Sequence, residues 1–144
     1  MLDALFDPQT TAVIGASRDE KKVGHVVLRN IIKYGYNGRI MPINPASSEI
    51  LGLKAYPRVS DVPGSTDLAI IAVPARLVPE TLHDCADAGV KTVVIITAGF
   101  KETGAEGTLL EEEIKKIGKE RGIRMLGPNC LGLINTKYGL CLVT

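Results

Sequence analysis

The chain has 144 residues, enough for one domain with its own core, and at 45% hydrophobic and 23% charged its composition is that of an ordinary globular chain. A formal net charge of +1 excludes the strong field expected of a nucleic-acid or anionic-membrane binder, and 4% aromatic residues make no stacking platform for bases. No apolar run is long enough to span a bilayer.

Met1 to Pro8 carries Asp3 and Asp7 and lacks the basic stretch of a signal peptide. Thr11 to Ile14 reads as a first buried strand, ended by Gly15-Ala16-Ser17. Val23, Val26, Val27 and Ile31 then recur at helical spacing up to Gly35. Arg39 to Asn44 is a second strand stopped by Pro45, with Pro42 inside the run as a complication for its pairing. Asp67 to Val73 is a third strand, stopped by Pro74. Val78, Leu82 and Cys85 mark a helix closing at Gly89. Lys91 to Thr97 is a fourth strand, a Val/Ile run of the kind buried on both faces. Leu110, Ile114 and Ile117 stripe a helix whose other face, within Glu111 to Glu120, is charged and solvated. Arg124 to Leu126 is a short fifth strand. The apolar stretch Leu140 to Thr144 reads either as a cut near a domain boundary or as a sixth strand at the sheet edge.

Strand and helix in alternation predict a single α/β domain over residues 1–144. Its expected core is a doubly wound, mainly parallel sheet in three layers, α/β/α. Cys85, Cys130 and Cys141 are widely spaced, odd in number and without a CxxC pair, which argues against a disulfide framework or zinc site and for a reducing cytoplasm.

In such sheets ligands bind outside the carboxyl ends of the strands. Those ends are Gly15-Ala16-Ser17, Asn44-Pro45, Val73-Pro74-Ala75-Arg76, Thr97-Ala98-Gly99-Phe100 and Gly127-Pro128-Asn129-Cys130. They are rich in small residues, amides and hydroxyls and contain no carboxylates, so the rim suits an extended anionic ligand held by backbone N–H groups. Lys22-Val23-Gly24 opens the first long helix, where the dipole favours a phosphate and Lys22 adds a charge. The dinucleotide fingerprint is missing. Its glycines would fall at Ser17 and Glu20, and the second strand ends in Asn44-Pro45 where an acid should hold the ribose.

Arg76 is placed either to reach a phosphate or to stay solvated. Asn129 and Cys130 are placed either to face a ligand or to form a turn and a buried thiol. His25 and His83 read as packing or surface residues without a catalytic role. Glu102 is the one carboxylate near the rim, and no acid/base pair stands there. No catalytic residue and no metal ligand is assigned.

Several runs, in order along the chain, resemble the N-terminal domain of the ADP-forming acyl-CoA synthetases. They are Leu5 to Pro8, Thr11 to Ser17 (TAVIGAS), Val23-Gly24, Ile43 to Pro45, Gly52 to Tyr56 (GLKAY), Asp67 to Ala75 (DLAIIAVPA), Thr97 to Glu102 (TAGFKE) and Gly127 to Gly132 (GPNCLG). The acetyl-CoA synthetase α subunit belongs to that family, and the chain is also similar to the succinyl-CoA synthetase α subunit. The resemblance implies a Rossmann-like fold and a bound coenzyme A or acyl-CoA. Gly15, Ala16, Ser17, Lys22, Val23 and Gly24 would hold its phosphates. Asn44, Pro45, Val73 and Pro74 would flank the adenosine. Thr97, Ala98 and Gly99 would follow the pantetheine arm, with Asn129 and Cys130 towards the thiol.

Family members often carry a base shortly after the Asn-Pro step. Here Ala46, Ser47 and Ser48 follow instead. The family reaction also needs a phosphohistidine domain and an ATP-grasp domain as partners, so the isolated chain is expected to hold coenzyme A without turnover. A CoA-binding part of a protein lysine acetyltransferase, an NAD(H)-sensing module and a stand-alone CoA carrier remain the other readings.

Overall fold

The computed structural model describes residues 2–144. A short helix α1 (Asp3–Phe6) precedes β1 (Thr10–Ile14), α2 (Val23–Lys33) and β2 (Arg39–Ile43). A hairpin of β3 (Glu49–Ile50) and β4 (Leu53–Lys54) follows, then β5 (Leu68–Ile71), α3 (Val78–Asp87) and β6 (Thr92–Ile95). The chain continues through α4 (Ala105–Arg121) and β7 (Arg124–Leu126) to a second hairpin, β8 (Ile134–Asn135) with β9 (Leu140–Cys141). Five strands form one parallel sheet in the order β2-β1-β5-β6-β7. The chain moves outward from β1 to β2 and then restarts at β5 on the other side of β1. The strand order therefore reverses between β1 and β5, which opens a crevice at their carboxyl ends.

The side-chain period of two sorts each strand between two cores. Ala12, Ile14, Ala69, Ile71, Val93 and Ile95 face Val78, Leu82 and Cys85 of α3 and Ile114 and Ile117 of α4. Val13, Leu68, Ile70 and Val94 face Val27, Leu28 and Ile31 of α2. Both faces are covered, giving the three-layer Rossmann-like arrangement. Each fully buried Leu or Ile contributes roughly 1.5–3 kcal/mol.

Pro42 fits because β2 lies at the edge of the parallel sheet. The Pro42 carbonyl accepts a bond from Tyr56 N–H at 3.0 Å, on the flank away from β1. A residue's N–H and C=O point to the same side of a strand, so the donor that proline lacks is missing from that outer flank and not from the β1 ladder.

Several strand bounds differ from the sequence reading. β5 begins at Leu68 because the Asp67 carboxylate turns back to accept Gln9 N–H (2.8 Å) and Thr10 N–H (3.2 Å). β5 stops at Ile71 and β6 at Ile95, and beyond them the Thr97 hydroxyl donates to the Val73 carbonyl at 2.6 Å. The C-terminal stretch is a strand but not a sixth strand of the sheet. Leu140–Cys141 pairs with Ile134–Asn135, while Leu140 and Leu142 bury on the α2 side.

Candidate functional site

The first βα turn is built by close backbone packing. Gly15 has φ +91°, and a Cβ there would lie 2.7 Å from the Ala72 carbonyl oxygen at the end of β5. A Cβ at Gly24 would lie 1.9 Å from the Gly15 carbonyl oxygen. Two glycines therefore let the first turn of α2 rest on the turn that follows β1. The helix starts after an extended Lys22 with no side-chain cap, so its positive end is left to the crevice. Ser17 shapes the loop between them: its hydroxyl accepts Asp19 N–H at 3.0 Å, and its carbonyl lies 2.8 Å from His25 Nδ1. His25 is buried at 5% exposure and engaged in that contact, a packing residue. His83 is exposed on α3, 3.1 Å from an Arg121 nitrogen.

Asn44 braces the rim from β2. Its Nδ2 donates to the Ala16 carbonyl at 2.8 Å and its Oδ1 accepts Ala46 N–H at 2.7 Å. On the other side, Asn129 (φ +54°) donates its N–H to the Thr97 carbonyl at 2.9 Å, and Cys130 N–H reaches the Ile95 carbonyl at 3.3 Å. The Cys130 thiol is half-buried and accepts Gly132 N–H at 3.4 Å.

These segments enclose one cleft of about 900 Å³. That is at the large end of the roughly 300–1,000 Å³ typical of ligand clefts. Gly15, Ala16, Ser17, Lys22, Val23, Gly24, Asn44, Pro45, Val73, Pro74, Thr97, Ala98, Asn129 and Cys130 all line it. It runs from the α2 N-terminus to Cys130, so Asn129 and Cys130 line the cleft as well as forming a turn.

Two expected residues do not line it. Arg76 lies in a 3-10 turn, Ala75–Leu77, that puts Leu77 on the cleft wall and leaves the guanidinium to solvent. Gly99 is drawn aside because its N–H donates to Glu102 Oε1 at 2.5 Å. Phe100 N–H reaches the same oxygen at 3.0 Å, and these backbone donors hold the Glu102 carboxyl below its ordinary range.

The strand-end reading missed one wall of the cleft. Pro57, Arg58, Glu80, Thr81 and Asp84 also line it, so the site carries carboxylates after all. α3 turns Glu80, Thr81 and Asp84 to the cleft, and Arg58 donates to Asp84 Oδ1 at 2.8 Å. The α3 residues share a helical spacing with Leu77 that could have exposed them. Arg58 stands in an aperiodic turn and gave no such signal.

Residues 9–136 match the family model described as CoA binding domain. The chain is 49% identical over 140 residues to the ADP-forming acetate–CoA ligase II α subunit of Pyrococcus furiosus, covering 97% of this chain and 30% of that one. It is 46% identical over 135 residues to the ADP-forming acetate–CoA ligase II of Archaeoglobus fulgidus, covering 94% of this chain and 20% of that one. Among solved structures it superposes with a TM-score of 0.95 and 45% identity on the dinucleotide-forming acetyl-coenzyme A synthetase 1 of Ca. Korarchaeum cryptofilum, solved with phosphate and ADP. That match covers 99% of this chain and 30% of the other. The chain thus spans less than a third of the length of each of these relatives.

Proposed function

We propose, because this chain belongs to the CoA binding domain family, that residues 1–144 form one domain that holds coenzyme A or acyl-CoA across the carboxyl end of its sheet. The domain then serves as the N-terminal CoA-binding part of an ADP-forming acyl-CoA synthetase. The observation that carries this reading is the continuous cleft linking the uncapped N-terminus of α2 to Cys130.

The residues present suit the ligand. The turn Gly15-Ala16-Ser17 and the start of α2 at Lys22-Val23-Gly24 offer backbone donors, a dipole and a cation to a pyrophosphate. Asn44, Pro45, Val73 and Pro74 form an apolar and amide slot for a nucleoside. Thr97 and Ala98 line the way to Asn129 and Cys130, where a pantetheine thiol would end. An NAD reading finds less support, because β2 runs into Asn44-Pro45 with no acid for a ribose diol.

The reaction served is acyl-CoA plus ADP and phosphate giving carboxylate, coenzyme A and ATP, or its reverse. The phosphoryl steps belong to phosphohistidine and ATP-grasp domains, partners we assign to the rest of the synthetase. No helix among the described residues is long and apolar enough to cross a membrane. We place the protein in the cytoplasm, which suits its three free cysteines.

Calorimetric titration of the chain with coenzyme A, with NAD and NADH in parallel, tests the reading. Saturable binding of coenzyme A with no heat from either dinucleotide is expected. A preference for NADH, or no binding of coenzyme A, would overturn it.

A further inference from the structure

We infer that Arg58 receives the phosphate monoester on the ribose of coenzyme A and is the residue that tells coenzyme A from its dephosphorylated form. This inference rests on the coenzyme A reading of the cleft.

Coenzyme A carries two kinds of phosphate. The pyrophosphate bridge is a diester, spread along the ligand and well matched by backbone N–H groups. The ribose phosphate is a monoester with a charge approaching −2 at neutral pH, and it calls for a cation with a fork of donors. Only Lys22 and Arg58 are basic among the residues lining the cleft. Lys22 stands at the start of α2, beside the turn suited to the pyrophosphate. Arg58 stands elsewhere. Asn44 N–H donates to the Tyr56 carbonyl at 2.9 Å, and Tyr56 bridges Ile43 in parallel. Pro57 and Arg58 therefore leave the flank of β2 next to Asn44-Pro45, where the nucleoside end would lie.

The guanidinium is prepared for this task. Its Nη2 donates to Asp84 Oδ1, while Asp84 also accepts the Ser60 hydroxyl on Oδ1 at 2.6 Å and Val59 N–H on Oδ2 at 3.0 Å. The Asp84 side chain is only 12% exposed, so it is a fixed post; the Arg58 side chain is 63% exposed. One nitrogen is thus anchored, and the other guanidinium donors have no partner among the described residues. Both Asp84 oxygens are already engaged by donors, which reduces their repulsion of an incoming phosphate. Such an arrangement supplies what the run Ala46-Ser47-Ser48 lacks. Arg18 is a rival cation, but its Nε is spent on the Glu49 carbonyl at 2.9 Å and it does not line the cleft.

The test is the ratio of affinities for coenzyme A and dephospho-coenzyme A, measured by calorimetry on the chain and its Arg58→Ala, Arg58→Gln, Arg58→Lys and Arg18→Ala variants. The unsubstituted chain should prefer coenzyme A by about tenfold or more, the scale of one charge-assisted contact. Arg58→Ala and Arg58→Gln should bring the ratio close to one by weakening coenzyme A alone, and Arg58→Lys should keep part of it. Arg58→Gln keeps a donor for Asp84, and dephospho-coenzyme A binding reports whether the cleft is intact. An unchanged ratio in the Arg58 variants, equal weakening of both ligands, or collapse of the ratio in Arg18→Ala would overturn the assignment while leaving the coenzyme A reading standing. If the unsubstituted chain bound neither ligand, both would fall together.

Discussion

Gly24 is confined by its neighbour across the turn. With Gly15 O only 1.9 Å from where a Cβ would sit, Gly24→Ala must lift the start of α2 off the β1 turn. We expect that variant to lose roughly 1–3 kcal/mol of stability by overpacking and to weaken coenzyme A binding, read by thermal melts and calorimetry. Glu102 carries a pH dependence whose sign follows from its donors. Its folded pKa is held below the unfolded carboxylate value, chiefly by the Gly99 N–H, so the tie to Gly99 and Phe100 is complete above the unfolded value and lost as pH falls through the lower folded one. Protection of the Gly99 and Phe100 amides, taken relative to their intrinsic exchange rates, should fall over that acid window, and Glu102→Gln should flatten the response. Cys85 and Cys130 should differ in reactivity. Burial, helped by Asp84, pushes the Cys85 thiol up to about 12, so it should stay inert to thiol reagents at neutral pH in the folded chain. Half-buried Cys130 should label, and coenzyme A should slow that labelling. At this scale the sequence revealed glycines, amides and the cysteine at strand ends, because those positions follow from the fold rule. It did not reveal Arg58, which enters the cleft through tertiary placement alone.

The elements that were legible are those with a period. Val23 to Ile31, Val78 to Cys85 and Leu110 to Ile117 all became helices, and four β-branched runs together with the short Arg124–Leu126 run became the five strands of the sheet. α1 and the hairpin of β3 and β4 escaped notice, since four residues or a pair of two-residue strands are too short to show a repeat. The last strand was visible as an apolar run, but its partner was not. Leu142 N–H pairs with the Leu133 carbonyl at 2.8 Å, a local choice no periodicity encodes. The clearest test of an element's packing is Phe100. It is fully buried against the α3 and α4 side, within the loop that Glu102 ties. Phe100→Ala should cost about 3–5 kcal/mol in a denaturant titration, because the cavity sits between a strand end and two helices and has little room to collapse.

For the whole molecule, order reversal between β1 and β5 fixes where a ligand can enter, and every other feature of the site is local chemistry hung on that topology. The charge inventory of the cleft has a kinetic consequence. Lys22 and Arg58 are matched there by Glu80 and Asp84, and the chain as a whole carries only +1. A polyanion approaching from solvent meets no funnel. Encounter should therefore proceed at the speed of unguided diffusion, and stopped-flow association rates should change by less than about threefold between low and physiological salt. Discrimination among ligands then resides in how long each one stays, so a cell holding many phosphorylated metabolites would see this cleft visited by all of them and occupied for long by few.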